Sequence, residues 1–136
     1  MTKSAIDVTC AIIERGGLIL AVQRKAGKHL SLKWEFPGGK IETGESAEHC
    51  IVREIREELS LEIGILSDGP EVFHQYDSTS IRMKSFRCQI LDGIIRLNEH
   101  ENFIWLKPAE LNKLDWAEAD VPIVRWMERQ GLTEGI

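Results

Sequence analysis

Apolar positions along the chain fall into short blocks with two different periods. Asp7–Ile13 alternates loosely and then runs apolar, the pattern of a strand entering a core. Gly16-Gly17 reads as a turn and Leu18–Gln23 (LILAVQ) as a second strand, so the pair predicts a hairpin. Ala26–Leu32 reads as loop, and Trp34-Glu35-Phe36 as a short strand stopped by Pro37-Gly38-Gly39. From Ser46 to Leu59 the period lengthens to that of a helix. Ser46 is placed to cap it, and Glu48 lies in the first turn, where the helix dipole favours a carboxylate. Further strands are expected near Leu61–Ile65, Glu71–Tyr76, Ile81–Ile90 and Ile94–Leu97, with a short one at Phe103–Leu106. Pro108 is placed to open a helical turn through Leu111, and Val121–Gln130 reads as a closing helix with Pro122 in its first turn. Mixed strands with one central and one terminal helix predict an α/β/α sandwich over a mixed β-sheet.

Composition narrows the class. A chain of 136 residues fits one domain, taken here as 1–136, and can bury a core without staples. Apolar residues make up 43% and charged residues 29%, the globular balance. The apolar runs are far shorter than the roughly 18–20 residues that span a bilayer. The N-terminal stretch, broken by Asp7 and Thr9, lacks a signal-peptide layout, so a cytoplasmic location is expected with no membrane partner. Cys10, Cys50 and Cys88 match no zinc spacing and sit among apolar neighbours, which predicts buried reduced thiols. The net charge of −5, with no cluster of Lys and Arg, argues against gripping a nucleic-acid polymer. It would also repel a free polyphosphate, so a phosphate-ester ligand would need a bound cation.

The central helix carries the chemistry. Advancing about 100° per residue, Ala47, Ile51, Ile55 and Leu59 share one arc of about 120° that must face the core. Glu58 falls inside that arc, Glu54 just outside its edge, and Glu57 on the far side of Glu54 near Cys50. Arg53 points nearly opposite. A solvated charged face laced with ion pairs is one reading. The wheel favours another. Glu54 and Glu58, four apart, repel by a few tenths of a kcal/mol even when exposed, and partial burial without a partner costs more. Clustered oxygen ligands on a rigid element suit Mg²⁺ or Mn²⁺ rather than zinc. Upstream, Gly38-Gly39 is either a simple turn or a place where the backbone approaches a ligand closely.

These residues resemble the Nudix box, G-x5-E-x7-R-E-U-x-E-E-x-G-U with U aliphatic. Gly39, Glu45, Arg53-Glu54, Ile55, Glu57-Glu58 and Leu61 stand at its positions, and only Ser60 departs, where the family has glycine. That glycine would be the left-handed residue ending the helix, so serine there costs up to about 1 kcal/mol or changes how the helix ends. It removes no ligand. The stretch WEFPGGKIETGES is similar to MutT-type nucleoside triphosphate pyrophosphohydrolases. The tail from Glu99 to Met127, with Trp105 and Ala119-Asp120-Val121-Pro122, is similar to their CTP and methyl-dCTP branch.

The resemblance implies a Nudix-type α/β/α sandwich and metal-ion catalysis of substitution at phosphorus. It implies that Glu54, Glu57 and Glu58 hold Mg²⁺, with Mn²⁺ as a substitute, helped by the carbonyl of Gly38 and by a further glutamate. Glu99 is the first choice for that glutamate and Glu101 the second. It implies that Arg53 orients Glu54 and holds Glu45, and that Glu54 or Glu99 is the base. Lys40 and Arg24 are candidates for phosphate oxygens, and either could instead be an exposed side chain. Phe36 or Trp34 could stack on a nucleobase or pack in the core. Asp120 stands where MutT proteins carry a base-reading asparagine. It would accept from an amine-presenting base, or else cap the closing helix. The expected partner is a nucleotide, cleaved to a nucleoside monophosphate and pyrophosphate by a monomer or homodimer. CTP, 5-methyl-dCTP and 8-oxo-dGTP are the candidate substrates. Other nucleoside diphosphate derivatives, such as ADP-ribose or dinucleoside polyphosphates, and a non-catalytic nucleotide-binding module, are the alternatives.

Overall fold

The computed structural model describes residues 5–130. β1 (Ile6–Arg15) and β2 (Leu18–Gln23) form the expected hairpin. Gly16 and Gly17 turn it with φ of 58° and 82°, a pair of positive angles that matches the twist of the flanking strands. β3 (Trp34–Glu35) pairs with β2. The diglycine, expected as a stop, is itself a short strand, β4 (Gly38–Lys40), antiparallel to β1. A Cβ at Gly38 would lie 2.0 Å from the Thr9 carbonyl oxygen and 2.6 Å from the Cys10 Cα, so only glycine lets the two backbones come this close.

α1 (Ala47–Leu59) follows, capped by Ser46, whose hydroxyl accepts from the His49 N–H at 3.0 Å. β5 (Leu61–Gln75) and β6 (Ser80–Gly93) make one long antiparallel hairpin. The sequence predicted two strands where β5 is continuous. Three register shifts, between Glu62 and Ile63, Ile65 and Ser67, and Asp68 and Glu71, carry the ladder through the polar stretch that suggested a break. β7 (Asn102–Leu106) pairs with β2, and α2 (Val121–Gln130) closes the chain after 3-10 turns at Pro108–Lys113 and Glu118–Asp120.

Ile94–Leu97 is not a strand. The N–H groups of Arg96 and Asn98 donate to the carbonyls of Leu59 and Glu58 at 2.9 and 3.0 Å. The apolar alternation that suggested a strand reflects Ile95 and Leu97 packing into the core beneath α1, while the backbone serves the helix end.

The sheet runs β3-β2-β1-β6-β5, with β4 added to β1 and β7 to β2. β1 and β6 are parallel from Ile6 opposite Ile81 to Glu14 opposite Gln89, which makes the sheet mixed. Residues Thr9 to Glu14 of β1 are all buried, as in a strand covered on both faces. Ala11, Ile13, Leu20 and Val22 meet Ile51, Ile55 and Leu59 of α1 on one side. Cys10, Ile12, Ile19 and Ala21 meet Ile123, Val124 and Met127 of α2 on the other. Each such aliphatic side chain contributes about 1.5–3 kcal/mol when fully buried. The predicted α/β/α sandwich is therefore the observed one. All three cysteines are buried and free, and burial pushes the Cys88 thiol up to about 12. Glu14 and Arg87 form a buried ion pair at 2.9 Å that the sequence did not signal. No helix among the described residues is long and apolar enough to cross a membrane.

Ser60 takes the left-handed conformation (φ 58°, ψ 35°) that the family's glycine would, and its N–H donates to the Arg56 carbonyl at 3.1 Å. Its hydroxyl accepts from Asn98 Nδ2 at 3.2 Å, and the same amide donates to the Glu57 carbonyl at 2.8 Å. Ser60→Gly relieves the strained conformation, worth about 0.5–1 kcal/mol, and gives up one exposed hydrogen bond. A small net gain in the urea unfolding midpoint is expected. Ser60→Ala keeps the strain and loses the bond, so its midpoint should fall.

Candidate active site

The helix wheel translates directly into burial. Glu58 is 4% exposed, in line with Ile51, Ile55 and Leu59, and its Oε1 is buried without a partner. Burial pushes its carboxyl up to about 10, helped by a hydrogen bond and repulsion from Glu54 and by the charges of Glu99 and Glu35. Glu54 sits beside β4 so closely that a Cβ on Gly39 would lie 2.2 Å from its Oε2.

Arg53 organises the neighbouring carboxylates. Nε and Nη2 hold both oxygens of Glu45 at 2.6 and 2.9 Å, while Nη1 reaches Glu54 at 2.8 Å and Glu57 at 3.0 Å. Nη2 also donates to the Lys40 carbonyl at 3.2 Å. The guanidinium holds the Glu45 carboxyl down at about 2. This two-pronged pairing fastens the loop before α1 to its second turn and fixes one oxygen of Glu54.

A cleft of about 1180 Å³ opens beside the helix. Gly38, Gly39, Glu54, Glu58 and Glu99 line it together. Arg24, Glu35, Phe36 and Asp120 line it as well, with the basic Lys25, Lys28 and His29 and the turn around Tyr76. Glu99 therefore joins Glu54 and Glu58, whereas Glu101 is exposed and outside the cleft lining.

Other expected residues land elsewhere. Glu57 has a side chain 55% exposed, tied to Arg53 and outside the cleft lining. Lys40 is exposed and also outside it, because its place in β4 turns its backbone, not its ammonium, toward Arg53. Phe36 lines the cleft but is 3% exposed, its ring packed on Trp116 with centroids 4.7 Å apart. Trp34 packs against the same core. Arg24 lines the cleft with its guanidinium engaged by Glu35 at 3.2 Å and by the His29 carbonyl at 2.9 Å.

Asp120 is buried, and its Oδ2 accepts the Phe36 N–H at 2.8 Å, a bond to β3's end in place of the expected helix cap. Burial, aided by the charge of Glu35, holds its carboxyl well above the usual range. Sequence reasoning missed Glu35, His100 and Tyr76 as cleft residues. A charged residue between Trp34 and Phe36 was a usable signal, since it must leave the aromatic face.

Among the described residues, no three His, Cys, Asp or Glu side chains are already converged as a cage for a metal ion. The donors that share the cleft nevertheless suit a hard divalent cation. Glu54, Glu58 and Glu99 are oxygen donors, Glu54 and Glu99 both bear by charge on Glu58, and one buried oxygen of Glu58 has nothing to bind.

This sandwich, with a carboxylate helix packed against a diglycine strand beside a cleft, defines a Nudix-type phosphohydrolase architecture. Residues 3–127 match the NUDIX domain, and the chain belongs to that family, whose members depend on divalent metals. It is 34% identical over 119 residues to a CTP pyrophosphohydrolase of Escherichia coli, covering 88% of each chain. It is 34% identical over 114 residues to a putative 8-oxo-dGTP diphosphatase 2 of Mycobacterium tuberculosis, covering 83% of this chain and 81% of that one. A solution structure described as the DNA mismatch repair protein MutT of methicillin-resistant Staphylococcus aureus superposes with a TM-score of 0.77 at 37% identity. The match covers 96% of this chain and all of that one.

The two glycines should separate chemistry from fold. Gly39→Ala first meets the far end of the Glu54 side chain rather than backbone, so the protein should stay folded while kcat falls by about 10² or more. Gly38→Ala meets backbone and should cost several kcal/mol of stability, about the range of severe core lesions, in urea unfolding.

The raised Glu58 carboxyl sets a second expectation. Folded protein keeps this proton where the unfolded chain, at 4.5, has lost it. The stabilisation is complete below pH 4.5 and declines as pH rises toward about 10. In chelator, urea midpoints should fall between about pH 5 and pH 9, and Glu58→Gln should flatten the slope.

Proposed function

We propose that this chain hydrolyses (deoxy)nucleoside triphosphates to a nucleoside monophosphate and pyrophosphate, with Mg²⁺ as its working ion and Mn²⁺ as a substitute. The observation that carries the reading is the buried, unpartnered oxygen of Glu58, beside Glu54 in a cleft shared with Glu99. Relatives named as a CTP pyrophosphohydrolase and a putative 8-oxo-dGTP diphosphatase, matched over most of their length, support the triphosphate as substrate.

Glu54, Glu58 and Glu99, with the Gly38 carbonyl, would hold the ion, and Glu57 stands outside them on Arg53. When bound, the ion supplies neutralisation of the polyphosphate and Lewis-acid activation at phosphorus. The protein supplies placement. Arg53 leaves Glu54 one oxygen unclaimed by its own guanidinium, so Glu54 and Glu99 are the groups able to take a proton from the attacking water. Arg24, Lys25 and Lys28 bring the positive charge that an otherwise acidic cleft needs beside phosphates.

Base selection falls to Asp120. With Oδ2 committed to the Phe36 N–H, the other oxygen remains for a nucleobase. Ionised it accepts from an amine; protonated, as burial favours, it can also donate to a carbonyl. Both cytosine and oxidised guanine offer such groups, which suits the two activities named among the relatives. The protein would act in the cytoplasm as a monomer or homodimer, on free nucleotides, without a membrane or nucleic-acid polymer as partner.

Incubation of CTP, 5-methyl-dCTP, dGTP and 8-oxo-dGTP with Mg²⁺ should release pyrophosphate rather than orthophosphate, and chelation should stop it. Glu54→Gln and Glu58→Gln should each lower kcat by at least about 10², with folding retained. Turnover that survives complete chelation, or near-native rates in both variants, overturns the reading.

A further inference from the structure

The segment carrying Glu99 is fastened at both ends by its backbone. Asn98 N–H donates to the Glu58 carbonyl at 3.0 Å, and Glu101 N–H to the Gln23 carbonyl at 2.8 Å. Only Glu99 and His100 lie between these anchors. Glu99 and His100 both border the cleft, and the His100 side chain, 6% exposed, has Nε2 at 2.9 Å from Glu35 Oε2. Glu35 is held in turn by Arg24. The other ring nitrogen, Nδ1, is buried with no partner.

A buried imidazole with one nitrogen unsatisfied is a poor choice for stability, because an apolar ring of similar size would avoid that desolvation cost. The contact with Glu35 therefore calls for a reason beyond packing. We propose that His100 is a positioning residue: by clamping onto Glu35 it fixes the direction in which the adjacent Glu99 enters the cleft. This rests on the reading of Glu99 as a ligand or base in triphosphate hydrolysis. With the ring pinned, rotation of the peptide between residues 99 and 100 is restrained, and the Glu99 carboxylate stays in the cleft it shares with Glu58. With the pin removed, two backbone anchors remain and the residues between them can turn.

The test compares His100→Phe, which keeps an aromatic ring but no donor, with His100→Gln, whose amide nitrogen replaces Nε2. Both are made in the wild type and in Glu99→Gln. His100→Phe should unfold at an equal or higher urea concentration than wild type in chelator. Its kcat for CTP should nevertheless fall by about tenfold or more, with KM within about threefold at saturating Mg²⁺. In thermal shifts without nucleotide, its half-saturating Mg²⁺ should rise by about fivefold. His100→Gln should stay within about threefold of wild type on every count, and His100→Phe should change the Glu99→Gln enzyme by less than about threefold. The inference is overturned if His100→Phe matches wild type, if its loss multiplies in full with that of Glu99→Gln, or if His100→Gln falls as far. A Glu99→Gln enzyme as active as wild type overturns the role of Glu99 itself. A silent His100→Phe beside an inactive Glu99→Gln overturns only the positioning role.

Discussion

Carboxylates of like charge on one buried helical flank are the constraint around which this molecule is arranged. Glu58 lies within the apolar arc of α1 and Glu54 at its edge, so every contact that keeps them there works against desolvation and mutual repulsion. The hydrophobic face of α1 anchors the helix against β1 and β2. Arg53 draws off part of the negative charge by holding Glu45, Glu54 and Glu57 at once. Gly39 leaves the space that the Glu54 carboxylate occupies. Each makes tolerable an arrangement that a protein selected only for stability would avoid, which is why the group reads as a site.

Much of this was legible in the chain. A period near 3.6 placed Ile51, Ile55 and Leu59 in the core and carried Glu58 in with them, and burial followed that count. Covered strands such as β1 announced themselves as apolar runs. Ser46 was readable as a cap because its chemistry is local. What escaped depends on partners far away in sequence. Pairing of Gly38–Lys40 with β1 cannot be inferred from a diglycine, since the same residues suit a turn. Ile94–Leu97 alternates like a strand yet serves as the C-terminal dressing of α1, because its N–H groups find helix carbonyls before any strand. Asp120 finds Phe36 across 84 positions, and His100 finds Glu35 across 65.

The site also shows how the two layers divide the labour. The α1 side holds the carboxylates against the sheet. The α2 side supplies the core beneath Phe36 and Trp116, on which Asp120 rests. Glu35, on the short β3, stands between the groups: its charge bears on both Glu58 and Asp120, and its side chain joins Arg24 to His100. Changes at β3 should thus be felt at Glu58 and Asp120 together.

The long hairpin of β5 and β6 has a different standing. Its turn, around Tyr76 to Thr79, forms part of the cleft wall, yet none of the carboxylates proposed to bind metal lies on either strand. Its far end, at Leu61 and Gly93, joins the fold just beyond the helix cap. Both strands are built into the sheet, β6 beside β1 from Ile81 to Gln89, so the part open to change is the turn itself: it can be lengthened, shortened or recoloured in charge while the residues around Glu54 keep their places. A lineage could acquire a new nucleotide preference by editing this turn, leaving the hydrolytic apparatus as inherited.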